Sequence, residues 1–153
     1  MEKKISIIIL SLLLLTPIYA TKVTKKVKLP AGTAITIRTI NKLDSQKPKK
    51  RTVFVVNGDI WDESGEVILI REGTPADVQI FIRRATAYGE KAMIQFQPIS
   101  TKAFNGRLVG FKEQKVVFSG GNYKKQKKVV LPEGTSFCGY TANDLYFNIE
   151  VDE

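Results

Sequence analysis

A short apolar run that stops at a tight turn and restarts at Gly-Thr occurs three times in this chain. It limits the fold more than any other feature. Val27-Lys28-Leu29-Pro30-Ala31-Gly32-Thr33 returns as Val129-Val130-Leu131-Pro132-Glu133-Gly134-Thr135, and Ile68-Leu69-Ile70-Arg71-Glu72-Gly73-Thr74 is a looser copy between them. Glycine supplies the positive φ such a turn needs, and β-branched threonine favours re-entry into a strand. The intervals between Gly32, Gly73 and Gly134 are unequal, so the copies do not form a solenoid of fixed period. Two explanations stay open: one turn solution used three times in an all-β domain, or an old duplication.

The stretches between these corners read as strands. From Thr33, Ile35 and Ile37 alternate with Thr36 and Arg38, the period of a half-buried strand. Residues 52–56 are β-prone and end at Asn57-Gly58, a favoured tight-turn pair. Residues 67–70 are continuously apolar, as in a strand buried on both faces. Beyond Thr74, Val78, Ile80 and Ile82 share one face, and Asp77, Gln79, Phe81 and Arg83 the other. Tyr88-Gly89-Glu90-Lys91 closes a hairpin into residues 93–99, where Ile94 and Phe96 share a face. Asn105-Gly106 turns the chain into 107–111, residues 116–118 form another strand, and 135–151 is a last run interrupted at 142–144. No segment keeps an i, i+3, i+4, i+7 apolar pattern over three turns. The expected fold is all-β: a small closed or partly open β-barrel, Greek-key-like, with little or no helix.

The first twenty residues read as an export signal rather than as part of that fold. A short basic start, Met1-Glu2-Lys3-Lys4, precedes an almost wholly apolar stretch over 5–15. Thr16 and Pro17 then break the run, and Ile18-Tyr19-Ala20 ends in a small residue, so cleavage is expected between Ala20 and Thr21. The apolar stretch is short for ~30 Å of hydrocarbon, which argues against a retained anchor. Thr21 stands where a lipoprotein would need cysteine. Residues 21–153 are therefore expected to form a single β-barrel domain, exported to the periplasm or secreted, and not an integral membrane protein after processing.

The chain has no histidine. That excludes Ser-His-Asp and Cys-His machinery and any histidine metal site, and removes the commonest general base near neutral pH. The reading is of a non-enzymatic protein without a cofactor or metal. The only cysteine, Cys138, lies in a strand-like run between Phe137 and Gly139 and has no internal partner for a disulfide. Asp59, Asp62, Glu63 and Glu66 cluster at a turn, but their spacing does not match an EF-hand loop, and such residues commonly bond their own backbone.

The formal net charge is +9, and removal of the leader takes away only Glu2, Lys3 and Lys4 among charged residues. Basic residues gather at 22–28, at Lys47, Lys49, Lys50 and Arg51, and at Lys124, Lys125, Lys127 and Lys128. The last two clusters are the candidate site for an anionic partner, an envelope lipid or glycan, if the fold brings them to one end. No aromatic stacking platform accompanies them, so nucleic acid is not the expected partner. The plainer account is that lysine-rich loop tips keep sheet edges soluble.

Residues 32–110 resemble the C-terminal β-barrel domain of the TrbI family, scaffolds of conjugation and type IV secretion channels. The resemblance runs through Gly32-Thr33-Ala34-Ile35, Asp44-Ser45, Asp59-Ile60-Trp61-Asp62 with Gly65, Leu69-Ile70-Arg71-Glu72-Gly73-Thr74, and Tyr88-Gly89-Glu90 before Ile94 and Phe96. Arg71 replaces the family's corner proline, and ahead of the barrel only an export signal is expected in place of the family's inner-membrane helix and Pro-rich linker. The resemblance implies a detached barrel module that binds envelope proteins or itself, related to secretion, without the transmembrane scaffold role.

Overall fold

The computed structural model describes residues 19, 21–47, 51–120 and 128–152, and all regular structure among them is β. In chain order the strands are β1 (Lys22–Leu29), β2 (Ala34–Thr39), β3 (Leu43–Asp44), β4 (Phe54–Val56), β5 (Ile60–Trp61), β6 (Ile68–Ile70) and β7 (Pro75–Arg83). They continue as β8 (Met93–Lys102), β9 (Leu108–Gly110), β10 (Val116–Ser119), β11 (Val130–Leu131), β12 (Ser136–Tyr140) and β13 (Leu145–Asp152).

These residues fall into two compact units, 21–26 with 148–152 and Val27–Phe147. Strands β1 and β13 pair with each other. Their outer ends make the first unit, where Lys22 Nζ donates to Glu150 Oε2 at 3.2 Å between exposed side chains. The basic lead-in of the sequence is thus a paired strand.

The second unit is built on an antiparallel sheet in the order β10-β8-β7-β4-β2-β12, with β9 following β10 along the same edge of β8. Strand β12 comes back from far along the chain to lie beside β2, the return that defines a Greek key. The sheet curls until its ends meet at one point. There Phe111 bridges Thr141, the Lys112 amide donates to Tyr140 at 2.7 Å, and the Ala142 amide donates to Gly110 at 2.9 Å. Elsewhere the seam between β10 and β12 carries no ladder among the described residues, so the barrel is partly open. Two-stranded ladders, β3 with β11 and β5 with β6, complete the unit.

Alternation sets what is inside. Ile35, Ile37, Ile94, Phe96 and Val56 are fully buried, as are Leu69 and Ile70 from the continuous apolar run. The rings of Phe54, Phe96 and Phe137 meet at the centre, with centroids 5.1 Å apart for Phe54–Phe96 and 4.8 Å for Phe96–Phe137. The Phe54–Phe96 pair meets edge to face, which adds to the area the rings remove from water. In β7 the expected faces hold, with Val78, Ile80 and Ile82 turned inward and Asp77, Gln79, Phe81 and Arg83 exposed.

The three Gly-Thr corners share one geometry. Gly32, Gly73 and Gly134 have φ of 77°, 83° and 82°. Each threonine hydroxyl donates to the carbonyl three residues back: Thr33 to Pro30 at 2.7 Å, Thr74 to Arg71 at 2.7 Å, Thr135 to Pro132 at 2.6 Å. Each glycine amide donates to one carbonyl of a neighbouring strand at 2.8 Å, on Thr141, Val56 and Thr39 in turn. Those three residues return their own amides to Thr33, Thr74 and Thr135. Two residues thus oppose one, with glycine in the left-handed position: a bulge that bends the strand and raises its twist.

Candidate interaction surfaces

The outer face of β7, β8 and β10 exposes uncharged side chains in a row. Register places Phe81 opposite Gln95 and Gln95 opposite Val117, so the three form one row across the sheet. Phe81 is 62% exposed and Val117 51%. Gln79, Gln97 and Met93 flank the row, and a shallow groove of about 310 Å³ runs between them and Lys115. The row ends on β10, which pairs with β8 on one side and has no ladder partner on the other among the described residues. An unpaired strand edge is a template for another chain.

A second hollow, about 550 Å³, lies by the bulge between Asp77 and Val78. The Thr101 hydroxyl that lines it donates to Pro75 at 2.9 Å.

The described ends of the two basic stretches share one ladder. Strand β3 pairs with β11, Val130 opposite Asp44, and the Ser45 amide donates to Val129 at 2.9 Å. The Val129 amide donates back to the Ser45 hydroxyl at 2.9 Å, and Lys128 Nζ stands 3.7 Å from Asp44 Oδ2. Lys47 and Lys128 therefore leave the same ladder, and Arg51 lies before Val53, whose carbonyl accepts the Ile40 amide at 3.0 Å. Lys49, Lys50, Lys124, Lys125 and Lys127 lie outside the described residues, as does Ala20; Thr21 is exposed just before β1.

The carboxylates have structural work. Asp62, 7% exposed, accepts the Ser64 hydroxyl at 2.6 Å and the Glu66 and Val67 amides at 2.9 Å each. Burial pushes its carboxyl up, but the Ser64 hydroxyl and the amides of Val67, Glu66 and Ser64 outweigh this and hold the pKa at about 2. Asp59 accepts the Glu72 amide at 2.8 Å and so ties the β4–β5 turn to the second corner. The Gln46 amide holds Asp44 below the usual carboxylate range against partial burial, with help from Lys128 and Lys47. Asp144 is held low by the Ala31 amide, 2.7 Å away, against partial desolvation and with help from Lys28. Among the described residues no three His, Cys, Asp or Glu gather to hold a metal ion. Nor is any helix among them long and apolar enough to cross a membrane.

Gly139 has a role that its sequence neighbourhood does not announce. A Cβ there would stand 2.8 Å from the Phe111 ring, which covers the strand where the sheet ends meet. Its φ is ordinary. Only the partner ring, distant in sequence, reveals the requirement.

Fold and surfaces together define a small all-β, partly open barrel. Comparison with known protein families, with curated proteins and with solved structures finds no match.

Proposed function

We propose that this protein is an exported, non-enzymatic β-barrel module that assembles at the bacterial cell envelope by accepting an extended segment of a protein partner along β10. The observation that carries the reading is the Phe81–Gln95–Val117 row running out to a strand edge that is unpaired among the described residues. Strand addition draws affinity from backbone hydrogen bonds and specificity from side-chain pockets on alternate positions. The glutamines offer amide donors and acceptors, and Phe81 and Val117 offer apolar anchors. The resemblance to secretion-channel barrels points to the same class of work.

A photo-crosslinking residue at position 117 of the mature protein tests this. The expected product is one defined crosslink to an extended segment of an envelope protein, lost in Phe81→Lys. A mature protein that stays monomeric and yields no crosslink in envelope preparations overturns the reading.

The alternative reading is a binding module for anionic envelope lipids or glycans, favoured by the shared root of the basic loops at β3–β11. Binding to anionic-lipid vesicles should then weaken as salt is raised and should fall in the combined Lys124, Lys125, Lys127 and Lys128→Ala variant. Affinity indifferent to salt or to those substitutions removes it.

A further inference from the structure

The first and third corners do more than resemble each other: they dock on each other's strands. The Gly32 amide donates to Thr141 and the Gly134 amide to Thr39, both at 2.8 Å. The Thr141 amide returns to Thr33 and the Thr39 amide to Thr135, both at 3.0 Å. Thr39 ends β2 and Thr141 directly follows β12, and both are fully buried. The β2–β12 register pairs Ala34 with Tyr140, Thr36 with Cys138 and Arg38 with Ser136. Exchanging each residue for its counterpart in the other copy turns this register into itself. The exchange leaves Thr36 and Cys138 facing each other, with Oγ1 and Sγ 3.8 Å apart.

The correspondence continues past the corners. Thr39 and Thr141, Asn41 and Asn143, and Leu43 and Leu145 are identical at the same offset. Burial follows it too, since Val27 and Val129, Leu29 and Leu131, and Ile35 and Phe137 are all inside. On the outer flanks, Phe54 pairs with Thr39 and Phe111 with Thr141. The Ile40 amide donates to Val53 as the Ala142 amide does to Gly110. Strand β11 pairs with β3, while β1 pairs with β13. The second corner has the same bulge but no such reciprocity: its glycine docks on Val56, which heads no matching corner. A reused turn accounts for that corner and not for the other two.

We infer that residues 27–45 and 129–147 are two copies of one self-complementary strand–corner–strand unit, paired across a pseudo-twofold axis that passes between Thr36 and Cys138. The partner surface for each unit is another copy of the same unit, and the chain supplies both. Divergence sits off the shared frame: the Thr141 hydroxyl donates to Pro30, whereas that of Thr39 donates to Asn41.

Reciprocal transplants in the full mature chain test this. Writing residues 27–36 into 129–138 changes Val130→Lys, Glu133→Ala, Ser136→Ala, Phe137→Ile and Cys138→Thr, and only Phe137 among these is buried. The transplant should unfold cooperatively in urea with the midpoint of the single Phe137→Ile control. The reverse transplant carries Ile35→Phe as its buried change and should match that control. It also carries Thr36→Cys, which sets a second thiol against Cys138, and oxidation should join the two in a disulfide within one chain. Loss of cooperative unfolding in both transplants, where the single controls fold, overturns the inference. So does a folded reverse transplant in which oxidation leaves Cys138 unlinked to position 36.

Discussion

Asp62 shows how much one side chain can hold in a turn between two strands. Its two oxygens gather a hydroxyl and the amides of Ser64, Glu66 and Val67, and its own amide donates to Val67 at 2.8 Å. These bonds hold the turn before β6. Removing the carboxylate in Asp62→Ala strands partly buried amides, a loss on the order of 2–3 kcal/mol. Urea unfolding at pH 7 should show it, and a loss below about 0.5 kcal/mol would put Asp62 among ordinary surface residues. Its depressed pKa gives the effect a pH signature. The ionised form is favoured by the fold, so the contribution is complete above the ordinary carboxylate value of 3.8 and is lost as pH falls through about 2. From the shift alone the linked stability is roughly 2 kcal/mol. The gap between wild type and Asp62→Ala should therefore narrow from pH 4 to pH 2.

At the scale of the element, the decisive feature is the contact of β12 with Phe111. Three ring atoms would lie within 3.1 Å of a Cβ on Gly139, and Phe111 is itself buried. Gly139→Ala should cost about 1–3 kcal/mol by overpacking, and Phe111→Leu in the same chain should restore part of it. A neutral Gly139→Ala would mean that the ring moves aside freely. This contact also marks the limit of what is legible in the amino-acid order. The alternation at Ile35 and Ile37, the faces of β7 and the three Gly-Thr bends are local patterns, and each is present where the sequence places it. Strands β1, β3 and β11 are not legible as ladders. A two-residue strand such as Leu43–Asp44 has no periodicity, and β1 is basic at its exposed end and buried only at Val27 and Leu29. Their partners lie in distant parts of the chain. The Phe81–Gln95–Val117 row is half visible, because alternation puts Phe81 outward while only the register brings Val117 beside it. A common root for the basic loops is a condition on the fold, and the pairing of Asp44 with Val130 supplies it for Lys47 and Lys128.

For the whole molecule, the charge inventory dictates how stability responds to pH. Without histidine, no side chain of ordinary pKa changes charge between about pH 5 and 8. Among the described residues, the carboxyls of Asp44, Asp62 and Asp144 are shifted downward. Each contributes stability that is present above the unfolded carboxylate pKa and lost as pH falls through the folded one. Two of them tie distant segments together, Asp44 at the β3–β11 root through Lys128 and Asp144 against the first corner through Ala31, while Asp62 holds its own turn before β6. Acid should therefore loosen these clamps together, while the excess of Lys and Arg leaves protonated carboxylates facing a strongly cationic body. The thermal midpoint of a chain of residues 21–153 should be nearly flat from pH 5 to 8 and fall steeply below about pH 4. Added salt should soften the fall by screening the cationic repulsion. A midpoint that moves by more than a few degrees between pH 5 and 8 would require a titrating group with a strongly raised carboxylate pKa. Nothing in the arrangement of Asp44, Asp62 and Asp144 provides one.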